Sequence, residues 1–180
     1  MIKSDLYRYG GLEGFRGLME GIMFPGFRYT YIFRKASNHR SRTFIGIIFR
    51  IFLRHYSYKY GIQIPAGTSI GKGFYIGHFG TIVISHGAVI GDNCNVAHNV
   101  TIGRTSRGRL EGTPTIGNYV WVGTGSVLVG KIKIGNNVLI APLTYVNFDV
   151  PENSIVLGNP GRIIPKVDAT QGYINNVLTT

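Results

Sequence analysis

At 180 residues the chain is long enough for one domain with a real core and room for an appendage. Nineteen Lys and Arg against eight Asp and Glu give a net charge of +11, and the single cysteine rules out a disulfide framework within the chain, which suits a reducing compartment. The opening MIKSDLYRYGG lacks the continuous apolar run of a signal peptide, so a cytoplasmic protein is expected.

Residues 1–60 hold eleven of the cations, three of the acids and fourteen of the twenty-one Phe and Tyr. The pattern predicts helices with breaks. Leu12 to Met23 is one candidate; Pro25 suits a first-turn position and opens PGFRYTYIFRKAS. A polar break at Asn38 to Ser41 precedes a third helix from Thr43 to about Tyr58. Its apolar run, FIGIIF, is interrupted by Arg50 and is too short to span a bilayer, which takes about 20 apolar residues. Two readings of this segment compete. It caps an open end of the domain and helps it oligomerise, or it is a basic, aromatic surface that touches anionic membrane at its inner face. The charge alone permits nucleic-acid binding, but no recognised module is present, and none is expected.

From Ile64 to Val146 the chain keeps a six-residue beat. Aliphatics fall at Ile64, Ile70, Ile76 and Ile82, slip by two to Ile84, Ile90, Val96 and Ile102, and resume at Ile116, Val122, Leu128, Ile134, Ile140 and Val146. Six fits neither a helix nor one long strand, but it is the period of a parallel β-helix, in which each unit makes a short strand and a turn. Three units make a triangular coil of about 18 residues with the aliphatics stacked inside. Cys94 falls on a small-residue position of the repeat and is expected to be a buried structural thiol. Residues 104–113, RTSRGRLEGT, break the beat: the step from Ile102 to Ile116 is eight residues longer than one repeat, and this stretch is expected as an ejected loop. The expected division is therefore a helical segment over 1–60, a β-helix over 61–165 and a tail over 166–180 with a partly mobile end.

Histidine is the natural general base near neutral pH. His39 and His55 lie in the helical segment, where packing or solvation explains them. His78, His86 and His98 each follow an inward aliphatic by two places. If the two-residue slip is local, His78 and His98 lie on the same face of adjacent coils, about 4.8 Å apart along the stack. His86 falls elsewhere. The reading then places His78, His98 and the root of the loop along one groove.

These motifs resemble a family. The repeat is similar to the left-handed β-helix acyltransferases, which use acetyl-CoA and assemble as trimers. GIQIPAGTSIGKGFYIGHFGTIVISHGAVIG, NVTIG, VWVGTGSVLVGKIKIG and LGNPGRII resemble the serine acetyltransferase branch. The opening, IKSDLYRYG with PGFRYTYIFR and HYSYKYGIQIP, resembles the O-acetyltransferases of capsule and exopolysaccharide synthesis. The resemblance implies an acetyl-CoA-dependent transferase with His78 as general base and Gln63 at the position of its orienting neighbour; the shared face adds His98 as a further catalytic candidate. It implies a donor site lined by Gly103, Arg104, Thr105, Gly123, Thr124, Gly125, Ala141, Pro142, Gly158, Pro160 and Arg162. Backbone N–H groups near Gly103 to Thr105 would stabilise the oxyanion, and Arg104, Arg107 or Arg162 would meet phosphates.

The chain departs from serine acetyltransferases at three places. Gly77 stands where they carry Asp before the catalytic His, Gln63 where they carry the orienting Asp, and Gly112–Thr113 where an Arg-His pair holds the amino acid. A site without partners for serine's charges should bind serine poorly. The expected acceptor is therefore a saccharide hydroxyl in surface polysaccharide synthesis, lipid-linked if the basic segment meets a membrane, and serine is the alternative. A zinc hydratase of the same fold would need three His ligands, and only His78 and His98 share a face, so no metal is expected. A non-catalytic scaffold remains the alternative outside enzymes.

Overall fold

The computed structural model, which describes residues 1–178, bears out the fold read from the repeat. It is a left-handed parallel β-helix of about five turns with helices at its N-terminal end. The strands stack into three faces. The first face carries Ile62–Gln63, Ile82–Ile84, Thr101–Gly103, Val127–Val129 and Tyr145–Val146. The second carries Ser69–Ile70, Val89–Ile90, Thr115–Ile116 and Lys133–Ile134. The third carries Tyr75–Ile76, Asn95–Val96, Val120–Val122, Val138–Ile140 and Ser154–Leu157 in parallel, closed by the antiparallel strand Arg162–Pro165.

Register shows where the irregularities go. Ile84 pairs with Ile102 and Val127 with Tyr145, which is an 18-residue coil. In the first coil Ile62 pairs with Ile82 and Tyr75 with Asn95, a spacing of 20. Ile82 and Ile84 both point inward from one strand, at 0% and 1% exposure. The two surplus residues therefore sit in the corner at 77–81 and not in a strand. The insertion at 104–113 leaves at another corner, between the first and second faces. It is closed at its base by paired Thr105 and Gly112.

Four helices precede the strands: α1 (Ile2–Tyr7), α2 (Gly14–Gly21), α3 (Pro25–Asn38) and α4 (Phe44–Tyr60). The sequence pattern misses α1, which is too short to show a period, and overextends α2. α3 begins at Pro25, in the first turn where a missing N–H costs nothing. In α4 the Thr43 side chain accepts the Gly46 N–H, and the helix stops at Gly61, whose φ of 69° is left-handed. Tyr29, Phe33, Ala36, Leu53 and Tyr60 are buried in one core with Ile62, Ile64, Ile70 and Phe74, so α3 and α4 plug the open end of the prism.

The plug also completes hydrogen bonding. The first coil has no coil beneath it, and its backbone groups take side chains from the helices instead. The Tyr29 hydroxyl meets the Ile64 N–H at 3.2 Å, and the Tyr9 hydroxyl donates to the Ile76 carbonyl at 2.9 Å and accepts its N–H at 3.3 Å. Arg34 donates to the carbonyls of Ile70 and Gly71, Arg8 to that of Gly73, and the Phe74 N–H donates to Asp5 at 2.9 Å. Asp5 and Arg34 form an ion pair at 2.8 Å with 1% and 4% exposure. Burial pushes the Asp5 carboxyl above its ordinary range, while Arg34 and the Phe74 N–H pull it back. Burial likewise lowers Arg8.

The tail runs back along the third face toward the helices. Val167 O accepts from Asn137, Thr170 donates to the Asn137 side chain at 2.7 Å, Tyr173 packs on Trp121 at 4.9 Å between ring centroids, and Asn175 O accepts from Arg8 at 2.8 Å. Ala169 and Thr170 are buried. Residues 179–180 lie outside the described residues.

Removing one member of a buried ion pair leaves the other charged group without its partner, at about 3–5 kcal/mol. Arg34→Ala should lose about 3 kcal/mol or more of unfolding free energy in denaturant titration. Arg104→Ala, which breaks a pair with Glu111 that is 58% and 55% exposed, should change it by less than about 1 kcal/mol. Equal losses would mean that the buried contacts do not fasten the helices.

Candidate active site

The two surplus residues at 77–81 make the corner carrying His78 wider than those above it. Its position is fixed from two sides. Below, Tyr9 holds both backbone groups of Ile76, and α3 comes so close at Gly26 that a Cβ there would run into the Ile76 carbonyl. Beside it, the Gly80 N–H donates to Tyr60 O and the Ile82 N–H to Gly61 O, both at 3.0 Å, so the end of α4 anchors the corner. Phe79 stands against Tyr60 at 5.8 Å. Sequence reading missed these anchors; Tyr9 and Ile76 are 67 residues apart, and no local pattern marks the contact.

Because Ile76 pairs with Val96, the residues two places on stack at the same corner. The His78 and His98 rings lie 6.0 Å apart between centroids and perpendicular. His78 is exposed and His98 half-buried. The next coils add Gly123–Thr124–Gly125, then Ala141–Pro142, then Gly158 and Pro160 to the same edge. The Gly125 N–H donates to His98 O at 3.2 Å, the Leu143 N–H to Thr124 O at 2.8 Å and the Tyr145 N–H to Gly158 O at 3.1 Å. A Cβ at Gly123 would lie 2.6 Å from the Pro142 nitrogen, so the coils touch there backbone to backbone. Most of the residues singled out for donor binding thus share one edge of the prism with the two imidazoles.

Others do not. Gln63 pairs with Val83 on the first face and lines a hollow of about 690 Å³ together with His86. Among the described residues it makes no hydrogen bond to His78. Gly103, Arg104 and Thr105 lie at the far margin of the first face, one strand away from the His78 corner, so within one chain the loop root and the two histidines do not share a groove. The Thr105 N–H is also already donated to Gly112 O at 3.0 Å. Arg104 is paired with Glu111 at 3.3 Å, and Arg107 and Arg162 are exposed. Among the described residues no three His, Cys, Asp or Glu are grouped to hold a metal.

His98 has a further constraint. Its Nδ1 is buried and has no hydrogen-bond partner among the described residues. A bare lone pair is tolerated there better than an N–H with nothing to donate to, which places the ring proton on Nε2. On the other flank of the corner, beside Gly77, is a hollow of about 520 Å³ lined by Arg8, Tyr9, Glu20, Phe24, Tyr75 and Tyr173 among others. The three Arg8 nitrogens there are spent on Gly73, Asn95 and Asn175, which leaves Glu20 as the charged group that can serve a bound molecule.

Residues 113–147 match the family model described as bacterial transferase hexapeptide (six repeats). The chain is 32% identical over 148 residues to a serine acetyltransferase of Synechococcus elongatus, covering 82% of this chain and 60% of that one. It is 32% identical over 145 residues to a serine acetyltransferase of Helicobacter pylori, covering 81% of this chain and 84% of that one. The crystal structure of serine acetyltransferase in complex with coenzyme A from Brucella abortus superposes with a TM-score of 0.79 at 25% identity, over 94% of this chain and 68% of that one. These findings correct the expected acceptor. The relatives are named for serine, not for capsule or exopolysaccharide, so the saccharide reading and its polysaccharide pathway fall.

The orphaned Nδ1 makes a stability prediction. Replacing the ring with an apolar side chain of similar size removes an unpaired buried nitrogen, which costs about 1–3 kcal/mol where it stands. His98→Met should be as stable as the parent or more so in denaturant titration. A loss of more than about 1 kcal/mol would show that the ring is held by contacts that it needs.

Proposed function

Because the chain belongs to the serine acetyltransferase family, we propose that it is an acetyl-CoA-dependent O-acetyltransferase whose acceptor is the hydroxyl of serine. The observation that carries this reading is the relationship to a serine acetyltransferase of which the chain covers 84%. The exposed imidazole of His78 supplies the chemistry. It takes the proton from the serine hydroxyl as that oxygen attacks the thioester carbon of acetyl-CoA. The new C–O bond forms, the C–S bond breaks, and the departing thiolate recovers the proton from the imidazolium. His98 presents its Nε2–H from the coil above and steadies charge at the reacting oxygen.

The acceptor contacts are this chain's own. With no charge at Gly77 or Gly112–Thr113, the serine ammonium turns to Glu20 in the hollow beside Gly77. Coenzyme A lies along the edge made by Gly123–Gly125, Ala141–Pro142 and Gly158–Pro160. The loop at 104–113 is too far round the prism to reach that edge in its own chain. In a trimer a neighbouring copy would bring its Gly103–Thr105 segment to it, which supports assembly as a trimer with sites between copies.

Thiol release from acetyl-CoA in the presence of L-serine tests the reading. Cys94 stays silent in such an assay, because burial pushes its thiol up to about 12. Serine-dependent release should appear in the parent protein and fall by about a hundredfold or more in His78→Ala. No release above the serine-free rate would overturn the acceptor. Glu20→Gln should raise the KM for serine about tenfold with kcat little changed, as loss of a ground-state contact does; an unchanged KM would remove Glu20 from the site.

A further inference from the structure

Helix α4 is apolar on both sides. One side, through Gly46, Leu53 and Tyr60, is buried against α3 and the first coil. The opposite side carries Phe44 at 78% exposure, Ile51 at 62%, Phe52 at 48% and Tyr58 at 76%, with Ile47 beside them. At 100° per residue Phe44, Ile47, Ile51 and Tyr58 form one stripe, directly opposite the buried one. A helix apolar all round is normally buried all round, and a contiguous apolar surface of this kind is a contact surface.

The charges around the stripe narrow the occupant. Arg40, Arg42, Arg50, Arg54 and Lys59 lie on α4 or just before it, and the chain holds no Asp or Glu between Glu20 and Asp92. Among the described residues none of the five is ion-paired. A second copy docked through α4 would set this uncompensated positive charge against itself. A surface that is apolar inside and anionic outside meets both features at once, with the Phe and Ile side chains entering the acyl boundary and the cations meeting phosphates. No described helix is long and apolar enough to cross a membrane. We infer that the outward face of α4 seats the protein on the surface of an anionic lipid bilayer, with the helix lying in the interface. This inference does not depend on the acceptor.

The test is co-sedimentation of the full chain with vesicles of phosphatidylcholine alone and with about 30% phosphatidylglycerol. Binding should be at least tenfold stronger to the anionic vesicles, weaken at high salt, and fall at least tenfold in Ile51→Glu with circular dichroism unchanged. Arg54→Glu should act in the same direction. No binding to anionic vesicles would overturn the inference. So would Ile51→Glu that keeps full binding, or Ile51→Glu that instead changes the molecular mass in light scattering, because the face would then be an interface between copies.

Discussion

A solenoid has to begin somewhere, and its first coil exposes backbone groups that no coil beneath can satisfy. Here the helices answer that need with side chains. The hydroxyls of Tyr9 and Tyr29, the guanidinium groups of Arg8 and Arg34 and the carboxylate of Asp5 bond to Ile64, Ile70, Gly71, Gly73, Phe74 and Ile76. These are strong, obligatory groups, and leaving them unpaired in a buried place is expensive. The contacts therefore do more than cover an apolar end. They give the first coil the partners that every later coil finds in its neighbour, and they also block the edge against pairing with another chain.

The same contacts determine the site. Once Tyr9 fixes Ile76, parallel pairing fixes Val96, and each coil passes the register upward. A coil must return in phase with the one below, so surplus residues cannot stay in strands. They collect at corners, and the chain puts them at 77–81 and 104–113. The first of these carries His78. The stacking of His98 above it follows from Ile76↔Val96, and the edge formed by Gly123, Pro142 and Gly158 follows from the next pairings.

This explains what could be read from the sequence and what could not. The faces, the inward columns and the shared phase of His78 and His98 follow from a period of six, which is a local property. α3 and α4 were legible from Pro25 and Thr43. The grip of Arg8, Arg34 and Asp5 on the first coil was not, because it joins residues 36 to 69 positions apart in sequence and no spacing rule encodes it. The docked tail was hidden for the same reason, since its hydrogen bonds reach Asn137, Asn95 and Arg8 from a stretch with no period. The direction of the Gln63 side chain was not legible either, because a match of position along the chain says nothing of which way an exposed side chain leans.

The acceptor was misjudged for a related reason. Two parts of such a site are under different constraint. The general base and the donor edge lie where backbone pairing and close approach leave little choice; at Gly123 a single methyl has no room. Acceptor contacts are made by side chains standing off corners and loops, such as Gly77 and Thr113, which the coil-to-coil ladder does not restrict. Reading a changed acceptor from changed corner residues assumes that only those positions can hold serine. The hollow beside Gly77 is walled partly by Arg8–Gly10 after α1, by Glu20 of α2 and by the docked tail, so groups from outside the β-helix stand at that corner. Charges missing from the β-helix can then be supplied from elements outside it, and the repeat alone under-determines what the site accepts.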